Sequence, residues 1–106
     1  MMKLEFKDIP NHSGYRVNTL GQIWSDRSNR ILKTCLNKGY KQLRLVNDEG
    51  NVKTRQVHQL VAIAFLNHKP DGLNIVVDHI DGNTLNNRLD NLQLVSNRKN
   101  TSKDRC

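Results

Sequence analysis

Apolar and polar positions change their period twice along the chain. Up to about residue 56 the apolar residues stand in short runs that alternate with polar ones, the pattern of half-buried strands. Tyr15-Arg16-Val17 and Gln22-Ile23-Trp24-Ser25 are two such runs, and Asn18-Thr19-Leu20-Gly21 between them predicts a turn. In Tyr40–Leu45, Tyr40, Gln42 and Arg44 fall on one face and Lys41, Leu43 and Leu45 on the other. The turn-rich Asn47-Asp48-Glu49-Gly50 returns the chain into Val52–Gln56, which predicts a hairpin. The period then lengthens. Val57, Leu60, Val61, Ala64 and Phe65 recur at helical spacing, and Asn67 with Pro70 closes the segment. From Leu73 the short period returns. Ile75-Val76-Val77 ends in Asp78-His79, a polar loop runs from Asp81 to Asp90, and Leu92-Gln93-Leu94-Val95 alternates as a second strand. Ser96 is placed to cap a short basic helix starting near Asn97.

These elements predict an α+β protein in two parts. Residues 1–56 form an N-terminal antiparallel β module, and residues 57–106 a connecting helix followed by strand, loop, strand and helix. No internal repeat or low-complexity linker interrupts them. The longest apolar run, Leu60–Leu66, is far short of the ~18 to 20 apolar residues of a membrane span. No secretory pattern opens the chain, so a cytoplasmic setting without a membrane partner is expected.

Composition narrows the class of partner. The 106 residues hold 17 Lys and Arg against 10 Asp and Glu, a net charge of +7. Such an excess suits a polyanion, because each neutralised phosphate releases condensed counterions. Arg27, Arg30, Lys33, Lys38, Lys41, Arg44, Lys53 and Arg55 stand against only Asp48 and Glu49 in the middle of the chain. Arg98, Lys99, Lys103 and Arg105 crowd its end. Lys41, Arg44, Lys53 and Arg55 on the predicted hairpin are candidates to lie against phosphates, although exposed charges also keep a sheet edge soluble. Cys35 and Cys106 form no CxxC pair, so neither a zinc ribbon nor a disulfide framework is indicated.

The chemistry concentrates at Asp78-His79. Neighbours on a strand point to opposite faces, so the two can serve one site only if the strand ends or twists there, which the loop from Ile80 permits. Asn91 begins the returning strand, and Asn100 falls one turn into the last predicted helix, from which it could approach Asp78. A carboxylate with an amide oxygen makes a hard ligand pair suited to Mg²⁺. A histidine can take a proton from water at neutral pH. Together they suit phosphodiester hydrolysis, with a metal steadying the departing oxygen. His58 on the helix, and His12 and His68 in loops, are expected to pack or cap rather than react.

The stretch Val77-Asp78-His79-Ile80-Asp81-Gly82-Asn83, then Asn86-Asn87-Arg88-Leu89-Asp90-Asn91-Leu92, then Val95-Ser96 and Asn100, closely resembles the HNH nuclease motif. It is the variant with asparagine at the third position, as in phage and intron-encoded homing endonucleases, and the spacing agrees without a gap. Gly14-Tyr15-Arg16-Val17-Asn18 with Gly21-Gln22-Ile23-Trp24-Ser25 resembles the small β module that commonly precedes this nuclease. Val57-His58-Gln59-Leu60-Val61-Ala62 with Ala64-Phe65 resembles the helix that joins the two. The resemblance implies a ββα-metal endonuclease cutting double-stranded DNA, with His79 as general base and Asp78 and Asn100 as ligands of a divalent cation, Mg²⁺ or alternatively Mn²⁺. Asn91 would hold the loop and orient His79. Arg88, beside the site, would hold a phosphate or form a salt bridge with Asp90 or Asp81, and Arg98 and Lys99 would add backbone contacts. The enzyme would act as a monomer or homodimer in a bacterium or phage-infected cell, with a phage protein as a further candidate partner.

Other readings compete for the same residues. Asp-Gly with many asparagines is ordinary turn chemistry, enough to account for Asp81, Gly82, Asn83, Asn86 and Asn87 without function. An EF-hand register starting at Asp78 puts Ile80 at position three, Asn83 at the glycine position and Leu89 at the final glutamate, which excludes it. A DNA-binding accessory module that no longer cuts would keep charge and fold without needing a metal. RNA as substrate would call for a reader of the 2′-hydroxyl, and none is visible.

Overall fold

Short antiparallel strands joined by tight turns build the first half of the chain in the computed structural model, which describes residues 3–68 and 75–96. β1 (Phe6–Asp8), β2 (Tyr15–Asn18), β3 (Ile23–Ser25) and β4 (Arg30–Ile31) form one sheet in sequence order. β5 (Cys35–Asn37), β6 (Tyr40–Val46) and β7 (Val52–Gln56) form a second. The helix α1 (Val57–Phe65) follows, and β8 (Ile75–His79) pairs with β9 (Leu92–Ser96) in a two-stranded ribbon. A single 3₁₀ turn, Leu89–Asn91, leads into β9. This is an α+β arrangement of antiparallel sheets around one helix among the described residues.

Alternation put β2, β3, β6, β7, β8 and β9 where the pattern predicts them, with ends moved by about a residue. β1, β4 and β5 escape the pattern because all their residues are exposed, so no apolar alternation marks them. The closure of α1 at Asn67 follows a left-handed cap. Asn67 has φ 56°, and the amides of Leu66 and His68 both donate to the carbonyl of Ala62, at 2.8 and 3.1 Å. Ser96 ends β9, and the helix expected from Asn97 lies outside the described residues, as do Arg98, Lys99 and Asn100.

One core joins all three sheets to the helix. Ile9, Val17 and Ile23 from the first sheet meet Leu43 and Leu45 from the second, Val57, Leu60 and Val61 from α1, and Leu92 from the ribbon. Full burial of a side chain such as Leu60 stabilises the fold by about 1.5–3 kcal/mol. The core therefore crosses residue 56, where the β module was expected to end. No helix among the described residues is long and apolar enough to cross a membrane.

Candidate active site

His79 and Asp78 occupy the last two positions of β8. Pairing runs through both, Asp78 opposite Gln93 and His79 opposite Leu92, and the amide of Ile80 still bonds the carbonyl of Asn91 at 2.8 Å. The strand thus neither ends nor breaks before His79, and the two side chains leave opposite faces of the ribbon. Asp78 is half-buried, and one of its oxygens accepts a hydrogen bond from Gln93 Nε2 at 2.8 Å. His79 is buried. Its ring lies 5.1 Å from that of His58 and 6.3 Å from that of Tyr40.

The ring is fixed by one hydrogen bond. His79 Nε2 sits 2.9 Å from Asn87 Oδ1, and with the amide oxygen turned to the ring Nε2 donates and Nδ1 is the acceptor nitrogen. This corrects the expectation for Asn91. Asn91 does hold the loop, but its side chain spends its bonds there and none reaches His79. Its Nδ2 donates to Asp81 Oδ1 and to the carbonyl of Asn86, both at 2.9 Å, and its Oδ1 accepts from the amide of Asp81 at 3.1 Å. The group that orients the histidine is Asn87, which the sequence left among the turn-forming asparagines.

The remaining turn residues behave as turn chemistry predicts. Asp81 accepts from the amide of Asn83 at 2.7 Å and from Asn86 Nδ2 at 3.1 Å. These bonds, with that from Asn91, hold its carboxyl below the usual carboxylate range, the Asn83 amide contributing most. His58 is a buried neighbour of the candidate base. Burial first, then the nearby rings of His79 and His68, push it down to about 4, so it adds no charge beside His79 at neutral pH.

The cations of the hairpin divide between its two faces, as the alternation in Tyr40–Leu45 implies. Arg55 pairs with Leu43, Lys53 with Leu45 and Lys41 with Leu36, which puts these three on the Leu43–Leu45 face of the second sheet. Arg44 pairs with Thr54 on the opposite face. Arg44 instead joins Arg30 and Lys33 in a groove of about 620 Å³ between the first two sheets. Arg88 bonds Asp90 at 3.3 Å, one of the two salt bridges expected from sequence, between groups that are each about half exposed.

Comparison with known proteins adds four matches. Residues 55–102 match the family model described as HNH endonuclease. Over 99 residues the chain is 42% identical to DNA endonuclease I-HmuI of Bacillus phage SP01, covering 92% of this chain and 55% of that one. It is 32% identical to H-N-H endonuclease F-TflII of Escherichia phage T5, over 90% of this chain and 50% of the relative. The chain thus spans about half the length of these relatives. A solved structure, "DNA binding and cleavage by the HNH homing endonuclease I-HmuI", superposes with a TM-score of 0.83 at 39% identity, over 94% of this chain and 57% of that one.

Proposed function

From the premise that this chain carries an HNH endonuclease unit over residues 55–102, we propose that it hydrolyses phosphodiester bonds of double-stranded DNA with His79 as general base. The observation that carries this reading is the buried His79 ring, held through Nε2 by Asn87 and so presenting Nδ1 as an acceptor.

Hydrolysis in line requires the entering water and the departing oxygen on opposite sides of phosphorus. Asp78 and His79 are the last two residues of β8, so one substrate phosphate meets both only at the end of the ribbon. Nδ1 of His79 removes the proton from water, and Asn87 keeps the other ring nitrogen protonated meanwhile. No three His, Cys, Asp or Glu converge among the described residues. Asp78 offers a hard carboxylate oxygen, which fits Mg²⁺ with its retained waters better than zinc with its four nitrogen and sulfur ligands. Asp78, with Asn100, would hold that cation, which when bound supplies Lewis-acid stabilisation of the 3′ oxygen. Products would carry 5′-phosphate and 3′-hydroxyl ends. Arg30, Lys33 and Arg44 in their groove supply backbone contacts that position the duplex without reading its sequence.

Cleavage of supercoiled plasmid by the purified chain, with Mg²⁺, with Mn²⁺ and with EDTA, tests this directly. Metal-dependent conversion to open-circle or linear DNA is expected, with a loss of about 10²-fold or more in His79→Ala and little change in binding. Cleavage by His79→Ala at the wild-type rate would sink the assignment.

A further inference from the structure

The loop that carries Asn87 leans on the first sheet. The turn between β2 and β3 is knit from within by Asn18, whose Oδ1 accepts from the amides of Leu20 and Gln22 at 3.0 and 2.9 Å. Its Nδ2 donates to Gln22 Oε1 at 2.9 Å, and its carbonyl accepts from the amide of Gly21 at 3.0 Å. Asn18 and Thr19 are both buried. The outer side of this turn meets the loop twice. The amide of Leu89 donates to the carbonyl of Thr19 at 2.8 Å. Two residues earlier in the loop, Asn87 lies so close to Gly21 that a Cβ on Gly21 would stand 2.7 Å from the Asn87 carbonyl oxygen and 3.0 Å from its Cβ. Gly21 also has φ +83°, a conformation side chains resist.

Asn87 has little else to fix it. Its Oδ1 serves His79, and its Nδ2 is buried without a hydrogen-bond partner. The position of the amide is therefore inherited from its backbone, which lies between the contact with Gly21 and the Leu89–Thr19 bond. A second turn braces the far side of the loop, where Thr84 Oγ1 donates to the carbonyl of Gly39, between β5 and β6.

We propose that the Asn18–Gln22 turn is part of the hydrolytic machinery: Gly21 and the Thr19 carbonyl set the position of Asn87, and Asn87 sets the tautomer and aim of His79. This rests on the nuclease reading above and gives the N-terminal sheet a task other than gripping DNA. Gly21 is a positioning residue, since only His79 meets the reacting water. A methyl group there must push the Asn87 backbone aside, and the amide moves with it.

The test compares the full chain with Gly21→Ala, Asn87→Ala and the double variant. It reads kcat and KM on supercoiled plasmid with Mg²⁺, the thermal melt, and the ring-nitrogen NMR shifts of His79 at neutral pH. Gly21→Ala is expected to lower kcat about 10- to 100-fold, the range for groups that orient a reacting ligand, with KM within about 2-fold. The His79 ring shifts should move toward those of Asn87→Ala. In the Asn87→Ala background the same change should cost less than about 3-fold more, because its route to His79 is already cut. Should Gly21→Ala fail to fold, Leu89→Pro removes the amide that bonds Thr19, at the first position of the 3₁₀ turn where proline is tolerated, and Leu89→Ala controls for the partly buried side chain lost with it. It is expected to shift His79 in the same direction. Wild-type kcat and unmoved His79 shifts in a folded Gly21→Ala, or fully additive losses in the double variant, would overturn the proposal. A wild-type chain inert with every metal would defeat the nuclease reading alone, because the His79 shifts report on the positioning whether or not the DNA is cut.

Discussion

The first two sheets and the β8–β9 ribbon are held by different forces. Val17, Ile23, Leu43 and Leu45 anchor the sheets by apolar burial, whereas the ribbon gives the shared core Leu92, with Val77 and Leu89 partly buried against it. What shapes the loop of the ribbon is a set of directional bonds: Asn91 to Asp81 and Asn86, Asp81 to Asn83, Asn87 to His79. Apolar burial is nearly isotropic and tolerates small shifts. Amide bonds specify direction, and direction is what a proton acceptor needs. The molecule keeps its stability in one region and its geometry in another.

Substitutions in the apolar core should leave the loop's geometry intact, and those among the loop's asparagines should cost less stability. The largest loss of stability is expected from Leu60→Ala, which opens a cavity where α1 meets both sheets and should cost about 2–5 kcal/mol in urea unfolding. Cleavage per folded molecule should stay near wild type, and a parallel collapse of kcat would erase the division. Next comes acid. His58 is held at about 4 in the fold against 6.5 when free, so between those values the unfolded chain binds the extra proton. Stability should therefore be fully present above pH 6.5 and fall as pH drops toward 4, by about 3 kcal/mol at most. A His58→Gln variant should show a shallower decline over that window when melting temperature is followed against pH. The smallest stability change belongs to Asn91→Ala, about 1–3 kcal/mol for the buried bonds it removes. Its plasmid-cleavage rate should nevertheless drop about 10-fold or more. Near-normal cutting would mean that the loop keeps its shape without the Asp81–Asn91 bonds.

Sequence carried the apolar half of this division well. The helical stripe of α1 and the alternation in β6 were legible because burial imposes a period, and Asp78 with His79 stood out through the spacing of the resemblance. The all-exposed β1, β4 and β5 left no trace, since an edge strand is made by its neighbour's hydrogen bonds rather than by its own side chains. The asparagines of the loop could not be told apart. Asn83, Asn86, Asn87 and Asn91 share one chemistry, and only the fold decides that Asn87 reaches His79 while Asn91 turns to Asp81. Gly21 read as an ordinary turn glycine for the same reason. Its proximity to Asn87 is a fact of tertiary packing, which no local pattern encodes.

The junction at residue 56 has its own consequence. Gln56 ends β7 and Val57 starts α1 with no residue between them, so the chain has no hinge where the hairpin becomes the helix. The ordinary means of absorbing a change in φ and ψ, a few loop residues, is missing there. His58 follows one residue after this junction, its ring 5.1 Å from that of His79. A shift of β7 therefore passes to α1 without a loop to take it up, and reaches the neighbour of the proposed base.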